Sequence, residues 1–305
     1  MKFIDPHIHL FNLALGDYQW LKPENPPFWS DKSVINHNFT ESHLLTSNGI
    51  ENSGFVHIEA GFNNSQPWKE IQWLESHCKR PFKSIACVDL TLSPEAFSIQ
   101  IQMLLAYKSV VGCRHILDNC ASDILKHKNT AINLEQLAEH QLSFELQMPL
   151  NDVNTIKTLC LILKNIPTLS VIINHAGFPP FYTQTSSEDC PNHNEYNNWL
   201  LSIQLLSQLN QCAIKCSGWE MTKRQYTTAW CKNIIEQCIY YFGINRVMLS
   251  SNFPLCLFSH SYQEVWQNYA SLLNELQQPY LPDKKLNQQQ LNQLCFENAK
   301  TWYKF

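Results

Sequence analysis

FIDPHIHL, residues 3–10, is a short apolar run that ends in two histidines one residue apart. Side chains alternate across an extended strand, so Phe3, Asp5, His7 and His9 are expected on one side and Ile4 and Ile8 on the other. If the apolar side packs on helices, both histidines point inward at the C-terminal end of the strand. The first strand is bounded as Lys2–Asp5, and seven runs of similar length follow it: Gly54–Ile58, Ser84–Leu90, Val110–Arg114, Leu142–Met148, Leu169–Asn174, Cys212–Ser217 and Arg246–Ser250. Helical patterns lie between them, around 40–50, 66–79, 94–107, 129–140, 151–165, 195–210, 224–242 and 260–277, with a last one near 286–303. Ser93-Pro94-Glu95 and Asn151-Asp152 supply N-terminal caps.

Eight strand-then-helix repeats with no Pro/Gly-rich linker predict an α/β fold, a single (β/α)8 TIM barrel over residues 1–305. A doubly wound sheet is disfavoured because no Gly-rich phosphate loop follows the first strand. Two connections are long and irregular: 10–39, with Tyr18, Trp20 and Trp29, and 177–194, with Phe178, Phe181 and Tyr182. They follow strands 1 and 6, which puts them at the face where barrel active sites form, as lid loops.

The bulk composition narrows the function classes. At 44% hydrophobic and 16% charged, the chain can bury a core and is not disordered. A net charge of -4 gives no basic footprint, so nucleic acid and anionic membrane are excluded as partners. No run reaches the roughly 18 apolar residues of a membrane helix, and the N-terminus lacks the pattern of a signal peptide. Twelve cysteines are scattered without a CxxC pair, which fits reduced thiols and a cytoplasmic protein. The expected partner is a small-molecule substrate, with a homo-oligomer left open.

Strand parity brings polar side chains to one barrel mouth. His57 and Glu59 are expected inward on the second strand against Val56 and Ile58, and Glu145 and Gln147 on the fifth against Phe144, Leu146 and Met148. His175 ends the sixth strand in VIINHAG and Asn252 the eighth in MLSSNFP. His7, His9, His175, Glu59 and Glu145 together carry the N and O ligands that suit Zn or another divalent metal. Inward polar groups would otherwise cost several kcal/mol each if unpaired. Arg114 ends the fourth strand and offers a bidentate fork to a carboxylate or ring oxygen. His115, of opposite parity, is a secondary candidate, and Tyr18, Trp20 and Trp29 are candidates for stacking on a bound ligand.

The segments FIDPHIHLFNLALGDYQWL, FVHIEAG, VVGCRHIL, LSFELQMP, VIINHAGFP, IKCSGWEM, RVMLSSNFP and SYQEVW resemble, in order, the signatures of the amidohydrolase superfamily. The likeness is to its amidohydrolase 2 group, in the sugar-lactonase and 2-pyrone-4,6-dicarboxylate lactonase-like branch, and it covers about residues 2 to 270. It implies a barrel hydrolase that opens a lactone, a carboxylic-ester type of reaction, or cleaves a related C–O or C–N bond. The family's histidine pair falls on His7 and His9 and its sixth-strand histidine on His175. In many members these bind one or two divalent metals, here Zn or Mn; in the lactonase branch the reaction can run without metal, the histidines polarising the carbonyl directly.

The family's usual general base, an aspartate ending the eighth strand, is Asn252 here. A neutral amide positions water but takes no proton, so another group must act as base: Glu145, Glu59 or His175, with Glu220 further back. The chain has only four arginines, too few for the two-carboxylate grip expected of pyrone-dicarboxylate hydrolases, so a sugar-type or monocarboxylate lactone is the expected substrate. The rivals are a catalytically impaired barrel that binds a ligand, motivated by Asn252, and a decarboxylase of the same superfamily.

Overall fold

The computed structural model describes residues 1–181, 191–278 and 281–305. Eight parallel strands follow one another in chain order: β1 (Lys2–Ile8), β2 (Glu51–Ile58), β3 (Phe82–Cys87), β4 (Val110–Ile116), β5 (Ser143–Gln147), β6 (Val171–Ile173), β7 (Cys212–Cys216) and β8 (Val247–Leu249). The ring is drawn together beyond β8, where Asn252 N donates to His7 O (3.0 Å) and His9 N to Phe253 O (2.6 Å). This is the expected (β/α)8 barrel.

The helices are α1 (Trp68–His77), α2 (Pro94–Leu105), α3 (Ala121–Lys126), α4 (Thr130–Glu139), α5 (Val153–Asn165), α6 (Pro191–Ser207), α7 (Trp219–Thr222), α8 (Thr228–Phe242) and α9 (Tyr262–Leu273). After them, α10 (Gln288–Asn292) and α11 (Asn298–Trp302) flank a π-helical turn. Ser93 caps α2 by accepting from Ala96 N, and Asp152 caps α5 by accepting from Asn154 N and Thr155 N. The helix expected around 40–50 is absent; only a 3-10 turn, Glu41–His43, forms there. The stretch is rich in Ser, Thr and Asn, whose side chains compete for backbone groups: Thr46 Oγ1 donates to Ile50 O. Most of the connection after β6, Tyr182 included, lies outside the described residues. No helix among the described residues is long and apolar enough to cross a membrane.

Two parity expectations are overturned. Ile4, Val56 and Ile58 point into the barrel, in one cluster with Ile85, Ile172, Ala213 and Met248, plugged by Ala299 and Tyr303. The parity argument assumed that apolar side chains face the helices, whereas the lower interior of a barrel is itself filled with aliphatics. His57 accordingly faces outward, with Nε2 2.9 Å from Glu70 Oε1 on α1. On β1, Asp5 pairs with Phe55 and Ile8 with His57, so two residues, Pro6 and His7, are set against one, Val56. This is a β-bulge, and Pro6, which has no N–H to give the ladder, sits inside it. Below the bulge Phe3 faces outward and stacks on Trp266 of α9, with centroids 3.6 Å apart. Above it the alternation restarts in the expected phase, with Ile8 packed outward and His7 and His9 turned in.

Candidate active site

Three imidazoles meet inside the mouth. The His7 ring lies 5.1 Å from that of His9 and 4.4 Å from that of His175, centroid to centroid. His9 Nδ1 lies 2.8 Å from Ile58 O, and His175 Nδ1 lies 3.0 Å from Ser217 Oγ. Burial first, and then the neighbouring cations Lys215 and Arg114, hold all three well below the ordinary histidine range, so the rings are neutral.

His175 stands on unusual backbone. It opens four consecutive left-handed residues, with φ of 54° at His175, 51° at Ala176, 70° at Gly177 and 53° at Phe178. Such conformations cost side-chain-bearing residues of order 1–3 kcal/mol each and persist only when their surroundings enforce them. Trp199 Nε1 donates to Ala176 O (2.7 Å) and Leu150 N to Gly177 O (3.0 Å), fastening the turn from two sides. Gly218 closes the back of the ring: a Cβ there would lie 2.5 Å from His175 Nδ1.

In front of the histidines is a cavity of about 910 Å³, bordered by His9, His175, Glu59, Arg114, Gln147 and Asn252 at the strand ends. Trp20 and Trp29 face it from the connection after β1, together with Asp17 and Gln19. Arg114 is held from below: Nε donates to Glu59 Oε1 (2.7 Å), one terminal nitrogen to Glu59 O (2.7 Å) and the other to Gln147 Oε1 (2.5 Å). Asn252 Nδ2 donates to Glu220 Oε1 (2.6 Å), while its Oδ1 is buried with no partner among the described residues. Glu220 sits in the first turn of α7, and burial pushes its carboxyl up to about 7.

Three expected site residues stand elsewhere. Glu145 lies below the cavity, where it accepts from Tyr303 Oη at Oε1 (2.6 Å) and pairs through Oε2 with Lys215 Nζ (2.6 Å). A carboxylate bound on both oxygens is not free to receive a proton from water. Tyr18 is buried behind the loop wall, packed on Phe11 and Phe62, with its hydroxyl accepting from Asn12 N. His115 turns away from the cavity, where Nδ1 accepts from Leu90 N (3.1 Å).

Sequence reading passed over two groups that the fold brings in. Lys215 is fully buried, and burial, partly offset by Glu145, pulls its ammonium down to about 8. Its signal was there, a lone lysine inside the apolar strand CAIKC. Asp118 borders the cavity on positive-φ backbone after β4, with its carboxyl raised by burial.

The donor set fits a divalent ion poorly. Among the described residues no three His, Cys, Asp or Glu side chains are placed to share one ion. The β8 position that would bring a carboxylate holds an amide already bound to Glu220, and His7 Nδ1 lies 3.2 Å from an ammonium. His7, His9 and His175 thus come together as three rings but not as the expected metal-ligand set.

Comparison with known proteins agrees with this architecture. A family model described as Amidohydrolase matches residues 4–305. The uncharacterized protein y4mH of Sinorhizobium fredii is 25% identical over 286 residues, covering 89% of this chain and 91% of that one. An amidohydrolase from Burkholderia multivorans, crystallised with bound zinc, superposes over 100% of both chains with a TM-score of 0.77 at 15% identity. A putative 2-pyrone-4,6-dicarboxylic acid hydrolase from Pseudomonas putida superposes with a TM-score of 0.65 at 15% identity, over 99% of this chain and 97% of that one.

Proposed function

Since this chain belongs to the amidohydrolase family, we propose that it is a lactonase opening a sugar-type or monocarboxylate lactone, with residues 1–305 acting as one barrel unit. The observation that carries the reading is the set of three neutral, buried imidazoles at one end of a cavity whose remaining polar wall is Arg114, Glu59 and Asn252. An imidazole N–H aimed at a carbonyl oxygen stabilises the charge that develops when water attacks, and it does so best in a water-poor site.

In this reading Asn252 orients the attacking water through its free Oδ1, its amide held by Glu220. Of the candidate proton acceptors, Glu145 and Glu59 are tied to cations and Glu220 to Asn252, which leaves His175 to take the proton. Arg114, already fixed by Glu59 and Gln147, presents its remaining N–H groups to a substrate oxygen or carboxylate, and Trp20 and Trp29 offer faces for a sugar ring. The polarisation is by imidazole directly.

The test is turnover of a panel of aldonolactones and monocarboxylate lactones, with and without added Zn or Mn. His175→Ala is expected to lower turnover by at least about 10³-fold without unfolding the protein. No turnover across a broad panel overturns the reading. Asn252 also motivates a second reading, a ligand-binding barrel without turnover; activity created from none by Asn252→Asp establishes that one instead.

A further inference from the structure

His7 and His9 are two residues apart on one strand, yet their Nδ1 atoms meet opposite kinds of partner. Ile58 O, 2.8 Å from His9 Nδ1, can only accept. His9 therefore carries its proton on Nδ1 and leaves Nε2 with a lone pair.

His7 Nδ1 faces Lys215 Nζ at 3.2 Å. That nitrogen has three neighbours, Glu145 Oε2 at 2.6 Å, Pro6 O at 3.2 Å and His7 Nδ1, one for each N–H of an ammonium. Glu145 is fully buried, and its other oxygen accepts the Tyr303 hydroxyl, so its charge needs the cation beside it. An imidazole that accepts at Nδ1 carries its proton on Nε2 when neutral. Nε2 of His7 is buried with no partner among the described residues, beside the two rings that border the cavity.

We propose that Lys215 is a positioning residue: anchored by Glu145 and Tyr303, it holds His7 in the Nε2–H form, so that the two histidines of β1 present a donor and an acceptor side by side. His7 then supplies a hydrogen bond to a carbonyl oxygen without giving up its proton, while His9 offers a lone pair. A ring protonated at Nε2 cannot ligate an ion through that atom, which accounts for the poor metal fit. The tautomer assignment stands on the hydrogen bonds; its use in lactone opening rests on the reading proposed above.

The test is spectroscopic. In protein labelled with 15N-histidine, long-range 1H–15N correlations show which nitrogen of each ring carries the proton, with the two rings assigned by His7→Gln and His9→Gln. The expected wild-type pattern is Nε2–H for His7 and Nδ1–H for His9; Nδ1–H at His7 overturns the proposal whatever the lactone assays show. Lys215→Met combined with Glu145→Gln removes both buried charges together. It is expected to release His7 from the Nε2–H form and to raise zinc affinity at least tenfold, read by competition with a chromophoric chelator. An unchanged His7 pattern in that variant also overturns the proposal, and if the variant fails to fold, the wild-type spectrum alone decides.

Discussion

On the floor of the barrel Glu145 accepts the Tyr303 hydroxyl and is ion-paired with Lys215, whereas toward the cavity Asn252 Oδ1 and His7 Nε2 are buried with neither a hydrogen bond nor an ion pair among the described residues. Both groups are polar, both are shut away from water, and both are carried by the same barrel. A buried polar atom left unsatisfied costs roughly 1–3 kcal/mol, and in the proposed reaction the two atoms at the mouth are the ones that meet substrate and water. In the proposed reaction the first group is a support and the second is the working surface. Inward-facing polarity alone does not tell them apart; depth below the cavity does.

The harshest way to break this contrast is to leave the floor half paired. Lys215→Met strands the Glu145 carboxylate and is expected to cost about 3–5 kcal/mol of stability, measured by denaturant unfolding. A loss under about 1 kcal/mol removes the buried ion pair from the account. At the mouth, Glu220 is held at about 7 against an ordinary 4.5, so the folded protein keeps a proton that the unfolded chain gives up. Stability from this group is therefore full below pH 4.5 and is lost as pH rises to 7, on the order of 3 kcal/mol across the window. Glu220→Gln is expected to flatten that slope in unfolding curves taken across the range; a slope identical to wild type refutes it.

Gly218→Ala probes the mouth by shape rather than charge. The new Cβ meets the His175 ring at 2.5 Å on backbone with φ of 67°, and the displaced imidazole is expected to cost about 100-fold in turnover. Turnover within twofold of wild type means that the position of His175 does not matter to the reaction. Tyr303→Phe sharpens the comparison most gently. It removes one donor from Glu145 and is expected to cost about 1–2 kcal/mol of stability, with little change in substrate KM.

Much of this was legible in the chain. The strand-helix rhythm gave the barrel, and His7, His9, His175, Glu59, Arg114 and Asn252 were named from strand ends and parity. Parity failed where its assumptions did. Pro6 inserts a bulge that shifts the phase of β1, and the aliphatic filling of the barrel turns Val56 and Ile58 inward, sending His57 out to Glu70. Glu145 does point inward, but depth is invisible to a period of two, and only the fold shows it beneath the cavity with Lys215. Lys215 lies inside the Cys212–Ser217 run, and a lysine among apolar residues has no motif; it acquires a role from Pro6, His7 and Tyr303, far away in sequence. Asn252 stood out by departing from the family pattern, and the carboxylate it leans on, Glu220, comes from a neighbouring turn.

The bond from Tyr303 to Glu145 spans 158 residues of chain, and the one from Lys215 to His7 spans 208. A growing chain synthesised as far as β8 has already laid down all three histidines and the lysine beneath them. The hydroxyl that steadies that lysine's counter-ion arrives only with residue 303, so the floor of this site cannot be complete until α11 has been made and packed under the barrel.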